Sequence, residues 1–387
     1  MIHLKRVAFL LLFILFPWLF LLAQQQEGFF PPERFGVDTR FVPAVSFNSD
    51  MGLIGGGLYN RFNYGLSGVR PYESYTLVAA LISTRGFASA SIMNDKVNAF
   101  NTDWRIMYTV GGGRFFRNNY FGIGNYSRFN LELFDSEYFF YDSYDVSANV
   151  QARYPILRPK SRKDPLFDVY LRANASYQTT QRAEISRLSF DRPEGIDGGK
   201  MIQLGGGIIY DNRDNELQPT TGWRIDAEVM LASAIFGSDW TVPSWMLRVR
   251  RFLPIAPKYT IGLQYMHTQR YGEMPFWFLP SLGGENQMRG FAFNRFIGKG
   301  ANSLSAELRG WVFEPKSFPI RLGFQLFGEA GRIVQDLEHI DEFFQDYHHT
   351  YGGGIGIGFP DSDFILRVEY GISEDMGRTY ITVNYAF

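Results

Sequence analysis

The chain has 387 residues, of which 45% are hydrophobic and 17% aromatic, with a formal net charge of −1 and no cysteine. A balanced charge leaves no electrostatic footprint for a nucleic-acid partner, and without cysteine there is no disulfide framework, so stability must come from an extensive hydrogen-bonded structure. A helical membrane protein of this size would carry several apolar runs of about 20 residues; this chain has one, at its N-terminus, and a mean hydropathy of only −0.15. Its 22 Tyr, 37 Phe and 40 Gly instead suit strands that are apolar on one face and polar on the other.

Residues 1–23 read as a cleavable export signal. Lys5 and Arg6 precede the apolar stretch Val7–Leu22, and Ala23 stands before Gln24, Gln25 and Gln26. A short apolar core ending at a small residue favours cleavage over a retained anchor, and no cysteine lies near the cut to carry a lipid. Residues 24–36 then form a short periplasmic tail, and 37–387 the remaining domain.

Period-2 segments punctuated by turn residues follow. They place strands at 40–47, 51–65, 70–84, 85–96, 101–116, 137–156, 166–181, 199–213, 222–236, 241–254, 259–273, 300–313, 319–332, 348–360, 363–374 and 377–387. Sixteen is an even number, as bacterial single-chain barrels require. The fold expected is therefore all-β: a 16-stranded antiparallel transmembrane β-barrel. The first strand reads as short, with Pro43 inside it, and Pro belongs at edges or strand ends. Connections after strands 6, 8, 10, 12 and 14 are short, whereas 117–136, 182–198, 274–299 and 333–347 are long. All long connections thus fall at one end, the extracellular one, which puts both termini in the periplasm.

The alternation assigns faces. In 300–313, Leu304, Ala306, Leu308 and Val312 oppose Ser305, Glu307, Arg309 and Trp311. In 319–332, Ile320, Leu322, Phe324 and Leu326 oppose Arg321, Gly323, Gln325, Phe327 and Glu329, and in 363–374 Arg367 and Glu369 oppose Phe364, Leu366, Val368 and Tyr370. An Arg or Lys facing lipid at mid-membrane costs about 2–4 kcal/mol, so the charged sets face the lumen. Arg224, Asp226, Glu228, Arg248 and Arg250 face it by the same parity. The last strand places Thr379, Ile381, Val383, Tyr385 and Phe387 on one face, toward lipid. Its aromatic end resembles the signal by which outer-membrane barrels are recognised for insertion.

Four segments carry a family resemblance. Gly283-Gly284-Glu285-Asn286-Gln287-Met288-Arg289-Gly290-Phe291 resembles a GGxxxVRGF loop motif, with Met288 in the Val position. Phe327-Gly328-Glu329-Ala330-Gly331 resembles an F-x-D-x-G strand motif, with Glu329 for Asp. Tyr210–Asn215 with Pro219–Gly222 resembles a hairpin pattern, and Tyr120–Asn125 an FxGIGN segment. In this order they resemble the superfamily of BamA, TamA and the two-partner secretion transporters, also called the bacterial surface antigen type of barrel. That resemblance implies an in-folded sixth extracellular loop whose Arg289 docks on the inward Glu329 and Glu307. It implies a role in outer-membrane protein assembly or translocation, or as a subunit of an outer-membrane complex. With few residues between the expected cleavage site and the barrel, the chain reads as a short form without the POTRA domains that receive substrate in those proteins.

The seam between the first and last strands, marked by Pro43 and Phe387, is the expected moving part. The alternative is a passive pore for small solutes, since sixteen strands can enclose a channel. An enzyme is not expected, and no catalytic residue, metal ligand or cofactor is assigned. His3 leaves with the signal; His339, His348 and His349 lie among Asp336, Glu338, Asp341 and Glu342 and read as a solvated acidic loop, and His267 as a wall residue. The Gly55–Gly57, Gly111–Gly113, Gly205–Gly207 and Gly352–Gly354 runs lack the Lys-Ser/Thr of a phosphate loop and read as sites of close strand packing. Partners expected are outer-membrane lipid and lipopolysaccharide and other outer-membrane or periplasmic proteins, and no nucleic acid.

Overall fold

The computed structural model describes residues 35–66, 72–158, 166–315, 320–335, 342–358, 365–383 and 385–387. Residues 1–34, on which the expected export signal and most of the expected tail fall, lie outside the described residues, as do Phe364, Asp336, Glu338, His339 and Asp341. Sixteen antiparallel strands close into one barrel. They are β1 (Val37–Asn48), β2 (Gly52–Asn63), β3 (Ser74–Ser83), β4 (Phe87–Lys96), β5 (Arg105–Asn119), β6 (Phe140–Leu157), β7 (Phe167–Gln181) and β8 (Gly198–Asp211). Then come β9 (Gly222–Ala232), β10 (Val242–Ala256), β11 (Tyr259–Arg270), β12 (Gly300–Phe313), β13 (Arg321–Val334), β14 (His348–Gly358), β15 (Ile365–Ile372) and β16 (Gly377–Val383). Each pairs with its neighbours in sequence, so every connection is a hairpin and backbone groups satisfy one another around the ring up to the joint where β1 meets β16.

The faces follow the alternation. On β13, Gly323, Gln325, Phe327 and Glu329 are buried, while Leu322 and Leu326 are exposed on the outside. On β12 and β15, Glu307, Arg309, Arg367 and Glu369 are buried toward the interior. The glycine runs give aromatic rings room to lie across neighbouring strands: a Cβ on Gly57 would meet Phe41 Cζ at 2.6 Å, and one on Gly352 would meet Phe327 Cζ at 2.5 Å. Rings laid over glycines in this way help pin strand register.

Two expectations at the chain ends are corrected. The first strand is not short: β1 has 12 residues, and its whole length pairs with β2, Pro43 standing opposite Gly57. Pro43 is tolerated because its missing donor falls on the sparsely paired side of β1. The last strand does not run lipid-facing to the terminus, since β16 ends at Val383. Phe387 is buried, its ring 6.4 Å from that of Phe252 on the inner face of β10.

Candidate functional site

The 29-residue connection between β11 and β12 turns back into the barrel. Ser281–Leu282 pairs with Phe296–Ile297 in a two-stranded hairpin, and the segment between them carries Arg289 to the inner wall. Several glycines make the tip possible: Gly283, Gly284 and Gly290 have φ of +112°, +110° and +112°, a region that side chains disfavour. A Cβ on Gly290 would also lie 2.8 Å from the Ile372 carbonyl carbon on β15. Met288 and Phe291 are fully buried and pack with Leu282, Phe296, Ala301 and Ile333. Gly331 makes space for them, because a Cβ there would stand 3.0 Å from both Leu282 Cδ1 and Met288 Sδ.

The guanidinium of Arg289 has no exposed surface and meets three carboxylates. Its Nε donates to Glu329 Oε1 at 3.1 Å, Nη2 to Glu307 Oε2 at 3.1 Å and Nη1 to Glu369 Oε1 at 2.7 Å, while its backbone N–H donates to Glu329 Oε2 at 2.6 Å. The guanidinium carbon also sits 3.5 Å from the centre of the Phe327 ring. Two further arginines balance the charge: Arg309 Nε donates to Glu307 at 2.9 Å, and Arg367 Nη1 to Glu369 at 2.6 Å. Three guanidinium groups thus face three carboxylates. Buried ions are tolerated only when paired and hydrogen-bonded in this way. Thr350 Oγ1 donates to Glu329 at 3.1 Å, and Gln325 Nε2 donates to Glu369.

Backbone contacts complete the dock. The Gly290 N–H donates to Tyr380 Oη on β16 at 3.2 Å, and Ser373 Oγ donates to the Gly290 carbonyl at 2.9 Å. The 120–125 segment closes over the hairpin, with the Gly124 N–H donating to the Ile297 carbonyl at 2.8 Å and the Ile333 N–H to Asn125 Oδ1 at 2.9 Å. His348, expected in a solvated loop, instead begins β14. Its ring stacks on Phe296 at 3.9 Å and Nε2 lies 2.8 Å from the Asn125 carbonyl, because the in-folded loop brings an aromatic surface to that position. His349 is exposed, and His267 is buried against Trp245.

The motif residues Gly283, Gly284, Met288, Arg289, Gly290, Phe291, Phe327, Glu329 and Gly331 therefore meet with Glu307 in one place. Pro43 lies outside it. Phe387 reaches its margin, since Arg309 Nη2 donates to the Phe387 terminal oxygen at 2.6 Å while Nε holds Glu307. Sequence reasoning missed Glu369 as the third carboxylate, although the alternation had already turned it inward. It also missed Gly371, where a Cβ would stand 2.7 Å from the Arg289 carbonyl.

The seam is the second feature. Among the described residues β1 and β16 share two residue pairs, Phe47 with Ile381 and Asn48 with Tyr380, whereas β1 and β2 pair along all of β1. Just above, the Ser49 N–H donates to the Thr379 carbonyl at 3.2 Å and Arg378 Nη1 donates to Asp50 Oδ1 at 2.7 Å. Asp50 also accepts from the Phe293 N–H of the in-folded loop at 3.3 Å. Among the described residues the seam is thus fastened at its extracellular end, by groups that also hold loop six.

This loop and its carboxylate cradle sit within a segment, residues 97–379, that matches the model of the Omp85 superfamily domain. The chain belongs to the Omp85 superfamily. As an Omp85 barrel it resides in the outer membrane of a Gram-negative bacterium. Solved structures share the fold: BamA from Haemophilus ducreyi lacking POTRA domains 1–3 is 15% identical with a TM-score of 0.61, over 91% of this chain and 70% of that one. CdiB from Escherichia coli is 10% identical with a TM-score of 0.59, over 89% and 67%, and CdiB from Acinetobacter baumannii is 14% identical with a TM-score of 0.54, over 90% and 65%. No curated protein matches by sequence.

Proposed function

We propose that this Omp85 barrel assists the assembly of other proteins into the outer membrane, or their passage across it, with the β1–β16 seam as the moving part. The observation that carries the reading is the contrast between a loop fixed by three buried ion pairs and a seam closed by two residue pairs. A ring that is strong everywhere else and weak at one joint opens there at least cost. Below Ser46 the edge of β1 has no β16 partner among the described residues, and an unpaired strand edge is a template for another strand.

The in-folded loop fills the wall between β12 and β16, which weighs against an open pore. Outer-membrane lipid and lipopolysaccharide surround the barrel, and other outer-membrane or periplasmic proteins are its partners. The role is mechanical, with no covalent step. The test is reconstitution of the purified barrel in proteoliposomes with a denatured outer-membrane β-barrel substrate. Faster appearance of heat-resistant, protease-protected substrate supports the proposal, and a rate equal to that of empty liposomes overturns it. A large, steady single-channel conductance would favour the pore.

A further inference from the structure

The inner wall beside loop six, on β10 and β11, carries charge that is not balanced; Phe278 and Gln287 of the loop reach its edge, at Arg270 and Met266. Arg248 and Arg250 stand at successive inward positions of β10, and Arg270 faces inward on β11, opposite Ser244. None has a carboxylate within salt-bridge distance among the described residues. Arg248 Nη2 reaches only Met266 Sδ at 3.5 Å, Arg250 Nε donates to the neutral Gln264 at 2.8 Å, and Arg270 lies over the Phe278 ring at 3.7 Å. The Nε atoms of Arg248 and Arg270 are buried without a partner. Two acids on β9 face this row, and both are engaged. Asp226 is held by Arg224 through Nε and Nη2, at 3.0 Å each, and Glu228 by Arg172 and by the Tyr170 hydroxyl at 2.9 Å. Arg224 Nη1 also lies 3.5 Å from Asp211, which Arg213 holds at 2.7 Å, so six guanidinium groups meet three carboxylates, whereas the loop-six cradle is balanced three against three. Unpaired charge withdrawn from bulk water is costly, and an anionic occupant removes that cost.

We propose that this arginine row is a binding track for an acidic polypeptide segment in extended conformation; the inference rests on the translocation reading above. Arg248 and Arg250 are two residues apart on one strand, roughly 7 Å at about 3.4 Å per residue. An extended guest carrying carboxylates at alternate positions repeats that spacing, so each carboxylate meets one guanidinium. The same wall already holds a chain end. The next inward position on β10 is Phe252, against which the ring of Phe387 packs, while Arg309 takes the Phe387 terminal oxygen.

The test uses the full-length barrel in detergent and a fluorescein-labelled decapeptide of alternating Glu and Thr, read by anisotropy. The acidic peptide binds, added salt weakens it, and a Lys-Thr peptide of equal length does not bind. R248Q/R250Q weakens binding about tenfold or more, while R248K/R250K, which keeps the charge, retains most of it. Heat-shifted gel mobility establishes that each variant is folded. Equal binding by R248Q/R250Q, equal binding of the Lys-Thr peptide, or binding of tripolyphosphate but not of the peptide would overturn the track. If reconstituted insertion works and the peptide does not bind, only the track falls. If the peptide binds through Arg248 and Arg250 and wild-type insertion fails, the translocation reading falls and the site stands.

Discussion

Arg309 and Phe387, 78 residues apart, are joined by a 2.6 Å hydrogen bond from the guanidinium to the terminal oxygen. The bond holds the end of the chain inside the barrel. Tyr385 contributes, its ring centre lying 3.9 Å from the Arg309 guanidinium carbon. Arg309→Gln removes the charged donor and the cation–π contact together. We expect the last three residues to leave the wall and become cleavable by carboxypeptidase, while the barrel keeps its heat-shifted mobility. A C-terminus equally protected in the variant would show that Phe387 packing alone retains it.

Because Glu307 accepts from both Arg289 and Arg309, the loop and the tail share one carboxylate. Arg289→Ala leaves three buried carboxylates facing two arginines. Breaking a buried pair by removing one partner costs roughly 3–5 kcal/mol, so the loop should undock and trypsin should cut within 271–299. Arg289→Lys keeps the charge but not the planar fork and should fall between. Glu369→Gln should also loosen the loop, since it orphans Arg367 as well as one arm of Arg289. Wild-type protease resistance in Arg289→Ala would mean that apolar packing by Met288 and Phe291 suffices.

Much of this architecture is written in the sequence. A charged residue toward lipid is so costly that parity alone turned Glu307, Glu329, Arg367 and Glu369 inward, and loop lengths oriented the barrel. What parity could not supply was distance across the lumen. Glu369 is two strands from Glu329, and only the folded loop shows that both reach one guanidinium. The tail defeated parity for a different reason. Tyr385 and Phe387 continue the outward phase of Thr379, Ile381 and Val383, but the gap over Gly262, where a Cβ would stand 3.0 Å from the Phe387 ring, and the charge of Arg309 turn them inward. Neither contact is local in sequence.

Gly371 and Gly328 make a matched pair. A Cβ on Gly371 would lie 2.7 Å from both the carbonyl carbon and oxygen of Arg289, which are backbone atoms that cannot step aside, whereas one on Gly328 would meet nothing within 4 Å. Gly371→Ala should therefore push loop six from the wall and lower the temperature at which the folded gel band is lost. Gly328→Ala should leave that temperature unchanged. Equal behaviour of the two variants would mean that the loop does not press on β15 as described.

The seam can be tested with a single covalent bond. The chain has no cysteine, so an introduced pair has no competing thiol. Phe47 and Ile381 are directly opposed, and opposed residues of antiparallel strands lie about 4.5–5.5 Å apart at Cα, within disulfide reach. F47C/I381C should oxidise readily and stop insertion in the reconstituted assay, and reductant should restore it. V42C/L58C, across the fully paired β1–β2 ladder, should oxidise as well and leave insertion untouched, since that joint has no need to open. Full insertion by oxidised F47C/I381C would remove the seam from the mechanism, because a closed ring fastened covalently at its weakest joint offers no lateral exit.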